Sequence, residues 1–148
     1  MKIEHIMSKN IIVVEVDTKI EEIAKIMKEK DIGFLPISKS NKIIGVLTDR
    51  DIVTKILANK DTKIEGYLTS NLISININES IENALKLMGN KKVKRILVEK
   101  DNKLVGILSI SDIIHNVDEH LLIENIKKIW EIYRNTDEYP TKINDFEL

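Results

Sequence analysis

Two carboxylates stand at matching places in the chain, each three residues after a hydroxyl. The first run is Gly45-Val46-Leu47-Thr48-Asp49-Arg50-Asp51, and the second is Gly106-Ile107-Leu108-Ser109-Ile110-Ser111-Asp112. Each reads as the apolar end of a strand, a hydroxyl, two spacers and an aspartate at an apolar helix start. Such an aspartate can accept two hydrogen bonds from a vicinal diol, with a charge that an amide lacks. The hydroxyl marks a strand-to-helix junction, where free N–H groups and the positive end of the helix dipole make a seat for phosphate. Thr48-x-x-Asp51 and Ser109-x-x-Asp112 also have the form of a capping box, worth only about 1 kcal/mol of helix stability. On the motif alone both roles stand open, and they are compatible.

The two runs lie 61 positions apart, and the same offset holds far beyond them. Residues 2–51 align with 63–112 without a gap, with identities that include Ile3/Ile64, Glu4/Glu65, Asn10/Asn71, Ile20/Ile81, Met27/Met88, Asn41/Asn102 and Gly45/Gly106. This is a tandem duplication, so one supersecondary unit is used twice.

The elements that must position the motifs follow from periodicity. Residues 3–7 suit one helical turn, Ser8-Lys9-Asn10 breaks it, and the β-branched run 11–16 has strand character. Asp17 or Thr18 is placed to cap the next helix, with Glu21 completing a box on Thr18. Ile20, Ile23, Ala24 and Met27 then form an apolar stripe, repeated as Ile81, Ala84, Leu85 and Met88. The pattern predicts a strand over 33–38, at an edge or end where Pro36 lacks a ladder donor. A hairpin turn at 39–42, matched at 100–103, leads to a strand over 43–47 and a helix over 49–58. The unit is β-α-β-β-α, with residues 59–63 as the joint. One three-stranded sheet leaves an apolar face, which pairing with a twin covers. Beyond the repeats, Leu122, Ile126, Ile129, Trp130 and Tyr133 mark an amphipathic helix ending near Asn135. It packs back on its own domain or meets a partner. Residues 139–148, with Pro140, read as a loosely held tail.

Bulk composition narrows the function. The 148 residues are 43% hydrophobic, with 5 Gly and 2 Pro, which suits a globular chain rather than a disordered one. A net charge of −1 lacks the basic footprint of a nucleic-acid binder. Cysteine is absent, which removes disulfides, thiolate catalysis and cysteine-ligated metal. His5, His115 and His120 show no metal-ligand spacing, and no nucleophile elbow, Walker loop or dinucleotide turn is present. Residues 1–5 show no basic n-region leading into a long apolar stretch, so no signal peptide is expected, and no run reaches the ~18 apolar residues that would span a bilayer. The expectation is a non-enzymatic cytoplasmic protein with no metal site and no required cofactor.

Two β-α-β-β-α copies, each closed by Gly-h-h-(Ser/Thr)-x-x-Asp with h apolar, resemble a tandem pair of cystathionine-β-synthase (CBS) domains, a Bateman module. The resemblance covers residues 1 to about 117, nearly four-fifths of the chain. It implies an α/β (α+β) fold with repeats at 1–60 and 61–117, packed with pseudo-twofold symmetry, and a C-terminal helix and tail at 118–148. It also implies two clefts that take adenosine compounds as regulatory ligands: AMP, ADP, ATP or S-adenosylmethionine. The motif aspartate then holds the ribose hydroxyls, and the motif hydroxyl faces phosphate or ribose.

Each cleft of the family combines the motif of one repeat with strand ends of the other. The first implied set is Val46, Thr48, Arg50 and Asp51 with Thr69, Ser74, Val93, Lys94 and Arg95. The second is Ile107, Ser109, Ser111 and Asp112 with Ser8, Val13, Ile32, Gly33 and Phe34. The diol contact is expected to be alike in both. Only the first set holds the basic pair Lys94-Arg95, which favours a phosphorylated ligand there, whereas Gly33-Phe34 in the second suggests a weaker, less charged or empty site. The expected output is a signal passed to an effector protein in trans, from a homodimer joined through helices at 49–58 and 110–117. The rival class is a ligand-free interaction module in which the repeats and terminal helix serve only association.

Overall fold

Successive apolar stripes of period two and period 3.6 write out the element order, which runs twice through one pattern. The structure is a computed structural model and describes residues 1–131. Tyr133, the helix end near Asn135 and the tail at 139–148 lie outside the described residues. In the first repeat β1 (Val14–Glu15), α1 (Ile20–Lys30), β2 (Phe34–Lys39), β3 (Lys42–Thr48) and α2 (Asp49–Asp51) follow in order. The chain continues from α2 over Ile52–Leu57 as a wider π-type helix. The second repeat gives β4 (Ser74–Asn76), α3 (Ile81–Lys91), β5 (Arg95–Lys100), β6 (Lys103–Ser109) and α4 (Ile110–Ile113), and α5 (Glu119–Trp130) comes after it. Each sheet has three strands, β1-β2-β3 and β4-β5-β6, the first pair parallel and the second antiparallel. This is the mixed α/β arrangement expected of the repeat. No described helix is long and apolar enough to cross a membrane.

The hairpin turns confirm the reading of their polar residues. Ser40 and Asn41 have φ of 51° and 61°, and Asp101 and Asn102 have 51° and 60°. Two consecutive left-handed residues are what a two-residue turn needs to match strand twist. Four local expectations give way. β1 keeps only two of the six residues of 11–16. Neither Asp17 nor Thr18 caps α1, because the helix begins only at Ile20, after a turn in which Thr18 N donates to Glu15 O. The cap position falls on Lys19, which makes no side-chain bond, whereas its counterpart Ser80 accepts from Asn83 N. Pro36 sits in a central strand, but the parallel ladder to β1 holds only Ile37 and Ser38, so the proline lies beyond it. Its counterpart Leu97 donates from N to Ile73 O, the bond proline cannot make. The helix expected over 110–117 is the four-residue α4.

The chain divides into two compact units, Asn10–Leu72 and Met1–Lys9 together with the chain from Ile73 onward. Each unit therefore takes its leading segment from the other repeat. In the first, Ile64 is buried with Val14, Ile20, Ile23, Met27, Leu35, Ile37 and Leu47. Ile3 and Met7 are buried with Ile81, Leu85, Met88, Ile96, Val98 and Leu108 in the second. The motif glycines make room for those segments. A Cβ on Gly45 would lie 2.8 Å from Leu68 Cβ, and one on Gly106 would strike Met7 Sδ.

Only the second unit carries an extra helix, and its effect on the stripe is direct. α3 buries Ala84, Leu85, Met88 and Gly89, while α1 leaves Ala24 and Lys28, the counterparts of Leu85 and Gly89, exposed. α5 packs on α3 and covers that additional face. The terminal helix thus packs back on its own domain, one of the two homes open to it. Asp118 caps it, accepting from His120 N at 3.0 Å and Leu121 N at 3.2 Å. The buried line runs through Asn125 and Ile129, with Leu122 and Ile126 half-buried, and not through Trp130, which is 39% exposed. Lys94 Nζ stands 4.9 Å from the Trp130 ring centroid, a cation–π contact, and Lys92 pairs with Glu131 at 3.3 Å.

Candidate ligand-binding site

Each motif sits where the last strand of its sheet turns into a short helix, and the local bonds explain its residue types. In the first, Thr48 N and Thr48 Oγ1 both donate to Asp51 Oδ2, at 3.1 and 2.8 Å, and Asp51 N returns a bond to Thr48 Oγ1 at 3.1 Å. In the second, Ser109 N and Ser109 Oγ donate to Asp112 Oδ2 at 2.8 and 2.6 Å. Ser111 Oγ lies 2.7 Å from Ser109 Oγ. The capping arrangement is thus present in both copies. It holds the carboxylate through one oxygen, Oδ2, in each copy.

Beyond that shared half, the copies differ. At the first motif Arg50 N donates to Asp49 Oδ1, a bond the side chain of Ile110 cannot offer, while the opening N–H is taken in both copies, Asp49 N by Gly33 O and Ile110 N by Lys94 O. Helix-start N–H groups expected to be free for phosphate are thus bonded within the chain. Lys55 Nζ also meets Asp51 Oδ1 at 2.7 Å. Burial, at 8% exposure, pushes the Asp51 pKa up, but the Lys55 ammonium and the two Thr48 donors outweigh it and hold the carboxyl below its ordinary value. At the second motif the position matching Lys55 is Asn116, whose Nδ2 donates to the backbone Asp112 O at 3.2 Å. Asp112 is half-buried, and among the described residues its Oδ1 has no hydrogen-bond partner. The two carboxylates, expected to be alike, thus differ in their surroundings by one lysine. Lys55 stands four residues after Asp51, a spacing that signals a helical ion pair in any sequence.

The expected site residues distribute over the units as follows. Val46, Thr48, Arg50, Asp51 and Thr69 of the first set lie in the Asn10–Leu72 unit, as do Val13, Ile32, Gly33 and Phe34 of the second. Val46 and Thr69 exchange backbone bonds at 3.0 Å, and Phe34 is the register partner of Thr48. Ser74, Val93, Lys94 and Arg95 of the first set lie in the other unit with Ser8, Ile107, Ser109, Ser111 and Asp112. There Ser8 pairs with Ile107, Arg95 is the register partner of Ser109, and Ile110 N donates to Lys94 O at 3.0 Å. Residues opposite one another in an antiparallel pair share a face. Within this unit the basic side chain of Arg95 thus shares a face with the second motif.

Comparison with known proteins agrees with the repeat. The family model of the CBS domain matches residues 3–58 and again 64–119. The chain belongs to the CBS-domain family. This CBS-domain chain is 35% identical over 111 residues to Hypoxic response protein 1 of Mycobacterium tuberculosis, covering 72% of the chain and 78% of that protein. Its fold resembles that of the conserved CBS domain protein TA0289 from Thermoplasma acidophilum, with a TM-score of 0.76 at 18% identity, covering 91% and 77% of the two chains. It also resembles the CBS domain pair of protein MJ0100, solved in complex with 5′-methylthioadenosine and S-adenosyl-L-methionine. That match has a TM-score of 0.70 at 30% identity and covers 78% and 94%.

Proposed function

We propose that this CBS-domain chain is a regulatory module that binds an adenosine compound and passes its occupancy to a protein partner in trans, without catalysing a reaction. The observation that carries the reading is the pair of motif aspartates. Each is held by a backbone N–H and a hydroxyl on one oxygen, a rigid acceptor of the kind that a ribose diol needs. The adenosine ligands of the MJ0100 pair, 30% identical, support the ligand class. The candidate cations for phosphate are Arg50 in one unit and Lys94 and Arg95 in the other, which admits a ligand range from S-adenosylmethionine to AMP, ADP and ATP. Charge-assisted bonds from such groups strengthen phosphate binding without touching the nucleoside.

Association is part of the proposal. Val53 and Leu57, one helical turn apart, are 62% and 54% exposed after α2, an apolar pair suited to a second copy in a homodimer. Isothermal titration with AMP, ADP, ATP and S-adenosylmethionine separates regulation by ligand from association alone. Binding of at least one of them supports the reading. No heat from any at millimolar concentration favours the interaction module.

A further inference from the structure

The repeats carry the same motif, yet their carboxylates face different neighbours. Asp51 Oδ2 accepts two bonds from Thr48, and Oδ1 accepts the Lys55 ammonium at 2.7 Å. Asp112 Oδ2 likewise accepts two bonds from Ser109, but Asn116 turns to the backbone and leaves Oδ1 to the outside. A vicinal diol donates two hydroxyl protons and needs the lone pairs of an oxygen that is not already taken. Lys55 uses one of them at Asp51 and neutralises the charge that would strengthen the bond.

We propose that Lys55 and Asn116 are specificity-determining residues that set the two copies apart. Asp112 takes the ribose diol of the ligand, while Asp51, held by Lys55, serves its helix. The two roles that the motif permits are then divided between the repeats by one substitution at the same position of each. Arg95, across the β5–β6 pair from Ser109, puts a cation on the face where that diol would sit. This inference rests on the proposed adenosine binding and names the carboxylate that performs it.

The test is isothermal titration of adenosine, which has the diol and no phosphate, into the full chain and four variants. Circular dichroism checks that each variant keeps the fold. Asp112→Asn and Asn116→Lys should each weaken adenosine by about tenfold or more, the loss expected for a hydrogen bond to a charged group. Asp51→Asn should change it by less than about threefold, and Lys55→Asn should add a second binding event. Asn116→Lys keeps the motif intact, so it decides the matter even where Asp112→Asn disturbs the cap. Loss of binding in Asp51→Asn, or unchanged binding in Asn116→Lys, overturns the inference while leaving adenosine binding standing. No binding by the wild-type chain or by Lys55→Asn overturns both.

Discussion

Gly89→Ala should destabilise the protein, although in an exposed helix the same change would stabilise it. Glycine inside a helix costs about 1 kcal/mol relative to alanine. At Gly89 a new Cβ would run into the Asn125 Oδ1, with Cγ at 3.0 Å and Cβ at 3.1 Å behind it. Asn125 cannot easily step aside. It is 1% exposed, and its Nδ2 is bound to Leu121 O at 2.9 Å. Overpacking of this kind costs about 1–3 kcal/mol, which outweighs the propensity gain and leaves a net loss of up to about 2 kcal/mol. Urea denaturation followed by circular dichroism measures it. The sharper form is a cycle with Asn125→Ala, which removes the obstructing amide. In that background Gly89→Ala should reverse sign and stabilise by about 1 kcal/mol. Lys28, the exposed counterpart on α1, is the control, and Lys28→Ala should stay within about 0.5 kcal/mol of wild type. If Gly89→Ala stabilises the wild-type chain outright, α5 does not lie on α3 as described.

Three further outcomes follow from the site and the surface. The Asp51 carboxyl is held below its ordinary pKa of 3.8, so its stabilising effect is full above that value and is lost as pH falls through the lowered one. The stability difference between wild type and Asp51→Asn, measured in urea, should shrink across that acidic range; a constant difference down to pH 2 contradicts the ion pair. Arg95→Ala should weaken AMP by about one to two decades and leave adenosine nearly unchanged, as titration calorimetry would read; equal weakening of both would remove Arg95 from phosphate contact. Light scattering at tens of micromolar should give twice the 17.0 kDa chain mass, falling to one chain in Val53→Asp; a wild-type monomer contradicts the homodimer.

Much of the fold is legible because duplication doubles every signal. The stripes of α1 and α3 and the Ser40-Asn41 and Asp101-Asn102 turns need only local rules. What the residues did not disclose is tertiary. Asn125 is polar and falls outside any apolar count, yet it lies at the centre of the buried face of α5 because Gly89 opposite has no side chain. Ala24 sits on the apolar stripe of α1 but is exposed, since α1 has no helix like α5 against it in its unit. Trp130, the single tryptophan, suggests a buried anchor; the structure gives the buried position to Ile129 and sets Trp130 under Lys94. At the site, the motif and its capping bonds were readable. The difference between its copies was also present, as Lys55 and Asn116, but the hydroxyl and aspartate alone do not carry it.

Adenosine binding through a motif carboxylate is read from a single titration. AMP is titrated calorimetrically into the wild-type chain and into Asp51→Asn/Asp112→Asn, with circular dichroism confirming that both are folded. The wild type should bind saturably, and the double variant about tenfold or more weakly. Equal binding by both, or no binding by the wild type at millimolar AMP, ADP, ATP and S-adenosylmethionine, contradicts it.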